Sequence, residues 1–279
     1  VTPQTIFKVV LLLGVVLLVM AIGIRTRLER PLLLLRRPAL ALRAMVAMYV
    51  ALPAFVLLLV WLMPLREGVG AVLLGFAVSP VLPPWAKKGV AVGGQDDYVI
   101  GLQVLSSVVA LLVVPLMILI GYKVFGVQTR LAPLAVEQVL LVTVAAPLAL
   151  GLGLARLWPG TAPRLAALAD RVGGVVLLLG VGVLLLLRGR AILEVLGQGT
   201  LLITLAVVAF GLLMGHSLGG PDPGNRAALA SATVSRHPAI ALLVATGAFP
   251  DNDGTILGTV LLYLLASLLL PIPYERRLR

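Results

Sequence analysis

The chain reads as an all-α polytopic membrane protein of about nine transmembrane helices, arranged as an inverted repeat in which two discontinuous helices cross. Three observations predict this. Hydrophobic residues fill 61% of the 279 positions and charged residues only 12%, against about half and about a quarter in soluble domains. Apolar runs of membrane-crossing length recur along the whole chain. Two of those runs are interrupted by proline and polar residues at corresponding places.

A bilayer core of about 30 Å takes ~20 apolar residues per helix. Charge and Pro/Gly clusters then divide the chain into spans at 6–24, 38–62, 67–93, 96–122, 131–156, 166–187, 191–218, 224–249 and 254–270. The first leads into an Arg-dense segment opening at Arg25, which suits a retained span ending in the cytoplasm better than a cleaved signal sequence. The second follows Arg36-Arg37-Pro38.

The third span passes through Ser79-Pro80-Val81-Leu82-Pro83-Pro84, where prolines withhold N–H groups and clash with the preceding turn, so a continuous helix is not expected beyond Ser79. The fourth opens on Asp96 and Asp97, which suit a helix start as cap and dipole partners. It carries Gln103, Ser106 and Ser107, with Gln103 and Ser107 one turn apart on one face. The fifth holds Glu137 near its outer end, and the sixth runs up to Arg188.

The seventh repeats glycine every fourth residue at Gly211, Gly215 and Gly219, a pattern for close helix packing, with His216 at its interfacial end. The eighth carries Thr233-Val234-Ser235-Arg236-His237-Pro238, where Pro238 breaks the ladder beside a polar cluster. The ninth precedes the basic tail Glu275-Arg276-Arg277-Leu278-Arg279.

Spans one to four can be laid over six to nine with the fifth left over, and the odd offset inverts the second set. Each interruption then contains Val-Ser close to a proline, at 78–80 and 234–238.

The net charge of +11 comes from basic residues between apolar spans, not from an aromatic-interleaved basic domain. It therefore speaks for membrane orientation rather than nucleic acid. Placing the denser Lys/Arg loops in the cytoplasm puts the C-terminus inside and the N-terminus outside a cell membrane. Membrane lipid is the expected surrounding, and no obligate protein partner is evident.

Short loops leave no room for a soluble catalytic domain. No zinc-binding His-Glu-x-x-His or serine-elbow motif occurs, and cysteine is absent. A carrier is expected, with an intramembrane enzyme or an uncoupled channel of the same fold as the alternatives.

Met20-Ala21-Ile22-Gly23-Ile24, Arg36-Arg37-Pro38, Ala145-Ala146-Pro147-Leu148-Ala149-Leu150-Gly151-Leu152 and the stretch from Arg226 to Ala241 carry a family resemblance. In order and spacing the chain resembles the bile acid:sodium symporter family, taken broadly to include bacterial organic-anion carriers. The resemblance implies secondary transport by alternating access around crossed broken helices. Family members typically carry a Pro-Gly-Gly-Thr stretch ending in Ser-Asn at the first crossing and Glu-x-x-x-Gln at the second. Here those places hold Ser79 to Pro84, and Ala232 with Arg236. The usual sodium-ligating oxygens are thus replaced, so sodium, which the resemblance implies, is not expected in its usual ligand set. No other cofactor is expected.

The expected substrate is a small or amphipathic organic anion. Arg236 leads the candidate substrate-binding residues, because a guanidinium deep in a span is usually kept for a substrate or charge pathway and pairs well with carboxylate, sulfate or phosphate. The alternative is that it reaches a wet cavity or pairs with an acidic side chain. His237, Ser79, Thr233, Ser235, Gln103, Ser106 and Ser107 complete the candidate set. Their hydroxyls could equally re-satisfy backbone carbonyls.

Overall fold

The computed structural model describes residues 3–25, 34, 36–82, 84–125, 138, 141–197 and 199–277. Glu137, Arg27, Arg30, Arg130 and most of 131–140 lie outside the described residues. In chain order the helices are α1 Pro3–Arg25, α2 Pro38–Leu62, α3 Val69–Val78, α4 Trp85–Ala91, α5 Asp96–Phe125 and α6 Leu141–Leu157. There follow α7 Ala162–Arg188, α8 Arg190–Val195, α9 Thr200–Leu218, α10 Pro223–Val234, α11 Pro238–Ala248, α12 Asp253–Leu269 and α13 Pro271–Arg276.

Helix dominates because in hydrocarbon it is the open-chain conformation that pairs its own backbone. The segments Pro38–Leu62, Asp96–Met117, Ala162–Arg188, Thr200–Leu218 and Asp253–Arg276 are long and apolar enough to cross a membrane. Their outward faces stay apolar: Trp61 is 79% exposed, Leu112 77% and Leu186 87%. Such surfaces are stable against lipid and costly in water. The chain is a multi-pass membrane protein.

The expected third and eighth spans are both interrupted. The third is α3 and α4 with an extended link at Ser79–Leu82, and the eighth is α10 and α11 separated by Ser235, Arg236 and His237. The expected seventh span over 191–218 is also not one helix. It is the short α8 and then α9, because the intervening turn passes through Gly199 at φ +80, a left-handed conformation that glycine adopts freely.

The helices sort into two groups. In one, α1 packs along both α6 and α7. Helices α1 and α6 meet backbone to backbone at Gly23 and Gly151, so two of the segments that carry the family resemblance touch there. The other group holds α2 to α5 and α8 to α13 around the main core, which includes Met48, Leu52, Phe76, Leu102, Leu229 and Ile240.

Within it, the glycines of α9 let α10 approach closely. A Cβ at Gly215 would lie 2.5 Å from Ala230 Cα, and one at Gly219 2.5 Å from Arg226 Cα. Gly215→Leu is therefore expected to destabilise the protein by about 3 kcal/mol or more, since backbone cannot yield as a side chain can. Thermal unfolding in detergent checks this, and an unchanged midpoint would contradict the contact.

Candidate functional site

The two interruptions meet. Val81 and Arg236 form an isolated antiparallel β-bridge, Leu82 N–H donates to Ser235 O at 2.9 Å, and His237 N–H donates to Pro80 O at 3.1 Å. Each link thus satisfies backbone groups that its own broken helix cannot. Helix α3 packs against α11, and α4 against α10, so the two broken spans run antiparallel through the crossing.

Successive side chains on an extended strand point to opposite faces, and this separates Arg236 from His237. Arg236 turns into the main core. Its Nη2 donates to Met48 O at 2.6 Å and to Ala77 O at 2.5 Å, with the guanidinium carbon 5.1 Å from the centroid of the Tyr49 ring. Nε and Nη1 have no hydrogen-bond partner among the described residues.

Both accepting carbonyls lack a helical donor, one because of a proline and the other because its helix ends. The π-helical turn Ala47–Ala51 precedes Pro53, and Leu52 N–H bonds back to Ala47 O rather than to Met48 O. Pro53 has no N–H to offer in its place, so α2 leaves Met48 O free. Ala77 O lies in the last turn of α3, where the chain turns extended and helical donors run out.

His237 turns the other way. With Gln103 and Ser107 it lines a small cavity of about 10 Å³, walled by Val19, Ile22, Val81, Val104, Val144 and Leu148. His237 is only 1% exposed, yet neither Nδ1 nor Nε2 has a hydrogen-bond partner among the described residues. Gln103 donates Nε2–H to Val81 O at 2.9 Å while its Oε1 has no partner among the described residues. Three buried polar atoms without partners therefore converge where helix α11 begins. Unpaired buried polar atoms are costly unless something else completes them.

Gln103 and Ile22 also line a larger cavity of about 880 Å³ between the two helix groups. Arg25, Lys87, Arg156 and Asp96 are its charged lining, with Val99, Ile100, Leu152 and Ala155 among its apolar walls. Asp170 pairs with Arg25 at 2.9 Å and also with Lys87, which ties α1 and α4 to α7 at the rim.

The structure thus brings together Gln103, Ser107 and His237, and Arg236 is not among the lining of either cavity. Ser79 Oγ bonds Phe76 O at 2.9 Å and accepts His237 N–H at 3.0 Å, while Thr233 Oγ1 bonds Leu229 O at 2.8 Å. Ser106 bonds Gln103 O, and its own carbonyl accepts the Tyr49 hydroxyl at 2.6 Å. Ser235 contributes its carbonyl to the crossing.

Asp96 and Asp97 stand in the first turn of α5, with Asp96 on the large cavity. His216 contacts Tyr274, Nδ1 to hydroxyl 2.7 Å. Sequence reasoning used Arg25, Lys87 and Arg156 only for orientation. Their position at helix ends flanking the expected crossing was the available signal for a charged cavity mouth.

Comparison with known families matches the Sodium Bile acid symporter family over residues 10–195, two thirds of the chain. The chain belongs to this family. This family member is therefore related to transporters through α1 to α8, including the first broken span. The second broken span, with Arg236 and His237, falls beyond the matched residues. Comparison with curated proteins gives no match.

Sodium, which the family name implies, is poorly provided for at this crossing. Ala232 offers a methyl group, and the Met48 and Ala77 carbonyls already accept from the Arg236 guanidinium. A hard cation wants several oxygens there and would meet a fixed positive charge instead.

Proposed function

We propose that the protein is a secondary carrier of a small or amphipathic organic anion, with nine spans in an inverted repeat and the substrate held at Gln103, Ser107 and His237. One observation carries this reading: Gln103 borders both a cavity of about 880 Å³ with a basic rim and the small cavity behind it, where the His237 ring nitrogens have no hydrogen-bond partner among the described residues. That volume suits an organic molecule, and the mixture of apolar wall with few polar groups is the usual make-up of a ligand site.

Three features favour negative charge. Arg25, Lys87 and Arg156 outnumber Asp96 in the lining together with the Asp170 that Arg25 and Lys87 share. The N-terminus of α11, with its partial positive charge, begins at Pro238 beside His237. Arg236 places a full charge one residue away on the opposite side of the strand, where low dielectric lets it act without contact.

On the orientation set by the basic loops, the rim faces the cytoplasm and the structure is the inward-facing member of an alternating pair. The group of α1, α6 and α7 and the main group are the bodies that move against each other, and the large cavity marks their seam.

The test is equilibrium binding to the purified protein of a panel of labelled carboxylates and sulfonates, a bile acid among them. His237→Leu is expected to weaken binding of the best probe by about 10- to 100-fold, the worth of one hydrogen bond donated to a charged group, and Gln103→Leu to weaken probes whose body carries a hydroxyl or N–H donor for Oε1. Parent-like affinity in both variants would remove these residues from the site.

A further inference from the structure

Arg236 is a buried cation with no carboxylate among its hydrogen-bond partners in the described residues: those partners are two backbone carbonyls, and the Tyr49 ring lies beneath it. Oxygen atoms of this kind, one in a π turn and one at a helix end and both free of helical donors, are what a hard cation would use. Pro53 after the π turn of α2 creates the first vacancy, and the end of α3, where Ser79 turns extended ahead of Pro80, creates the second. The guanidinium fills them, and it carries its charge at every pH a cell meets.

We infer that Arg236 is a tethered stand-in for a coupling cation: it supplies the positive charge at the crossing permanently, so the transport cycle requires no dissociable sodium there. The placement of this charge beside a substrate pocket rests on the carrier reading above. The occupation of the oxygens by Arg236 does not. A carrier built this way moves its anion down that anion's own gradient, or by exchange, because no ion gradient is drawn on at this site.

Two consequences separate this role from ordinary packing. The parent protein has no use for a small cation at the crossing. Truncating Arg236 uncovers Met48 O and Ala77 O beside the Tyr49 face, which leaves a cavity suited to a small cation. The experiment needs no anion, so its failure is distinguishable from failure of the anion site.

Purified full-length protein in detergent is titrated with sodium chloride, methylguanidinium chloride or choline chloride at constant ionic strength, and the thermal midpoint is followed. The parent is expected to respond alike to sodium and choline. Arg236→Ala is expected to start from a lower midpoint and to recover roughly 3–5 °C in methylguanidinium or sodium relative to choline, once the cation reaches about ten times its dissociation constant. Arg236→Gln, closer in volume, is the second variant should the first not fold.

A sodium-specific rise in the parent overturns the inference, and this arm needs no variant. A folded variant indifferent to both small cations also overturns it, since the oxygens then form no cation site and Arg236 serves packing alone.

Discussion

Joining the two helix groups across the cavity is expected to reduce transport to the level of protein-free vesicles. Ile22 on α1 and Val104 on α5 both line the small cavity at the crossing, one from each group. The chain has no cysteine, so Ile22→Cys with Val104→Cys presents one reactive pair without any background to remove. A short bifunctional thiol reagent then locks the groups together. If alternating access is a movement of one group past the other, the cross-linked carrier is inactive while its fold and melting behaviour are kept. Each single variant treated with the same reagent should remain active or lose activity only by steric block, which a smaller monofunctional reagent distinguishes. Full transport by the cross-linked pair would mean that the seam is not where movement occurs.

The second large effect is structural and falls inside the group of α1, α6 and α7. A Cβ at Gly151 would collide with Met20 O and lie 2.8 Å from Ile24 N and 2.9 Å from Gly23 Cα. All three are backbone atoms, so Gly151→Leu cannot be relieved by a rotamer change. It should drive α6 from α1 and cost about 3 kcal/mol or more, at the upper end of overpacking effects. Loss of monodisperse protein or a midpoint lowered by roughly 6 °C or more is the expected result. A parent-like midpoint would show that α1 and α6 do not meet at this point.

Membrane class and both helix breaks were legible in the sequence because hydrocarbon imposes strong rules. Apolar length reports a span, and consecutive prolines such as Pro83-Pro84 cannot sit quietly inside a helix. The close approach of α9 and α10 was likewise written in Gly211, Gly215 and Gly219.

The direction of each side chain at the crossing was not. Arg236 and His237 are neighbours in an extended link, and which of them faces the cavity depends on the register of the Val81–Arg236 bridge, a pairing between residues far apart in sequence. Nothing local sets it. The Met48 carbonyl was hidden for a related reason: a π turn ahead of Pro53 exposes a backbone atom, and no side chain advertises it. The separation of α8 from α9 had a signal in Gly197 and Gly199, but an apolar run on either side outweighed it.

Counterflow tests the carrier reading most directly. Proteoliposomes are loaded with the unlabelled form of the best-binding organic anion, placed in potassium buffer without sodium, and given the labelled form outside at low concentration. The account predicts a transient accumulation of label above equilibrium, with the label recovered chemically unchanged. Simple equilibration without overshoot would indicate a channel, accumulation only when sodium is added would return the coupling ion, and conversion of the label would indicate an enzyme. Any of these three results would contradict the account.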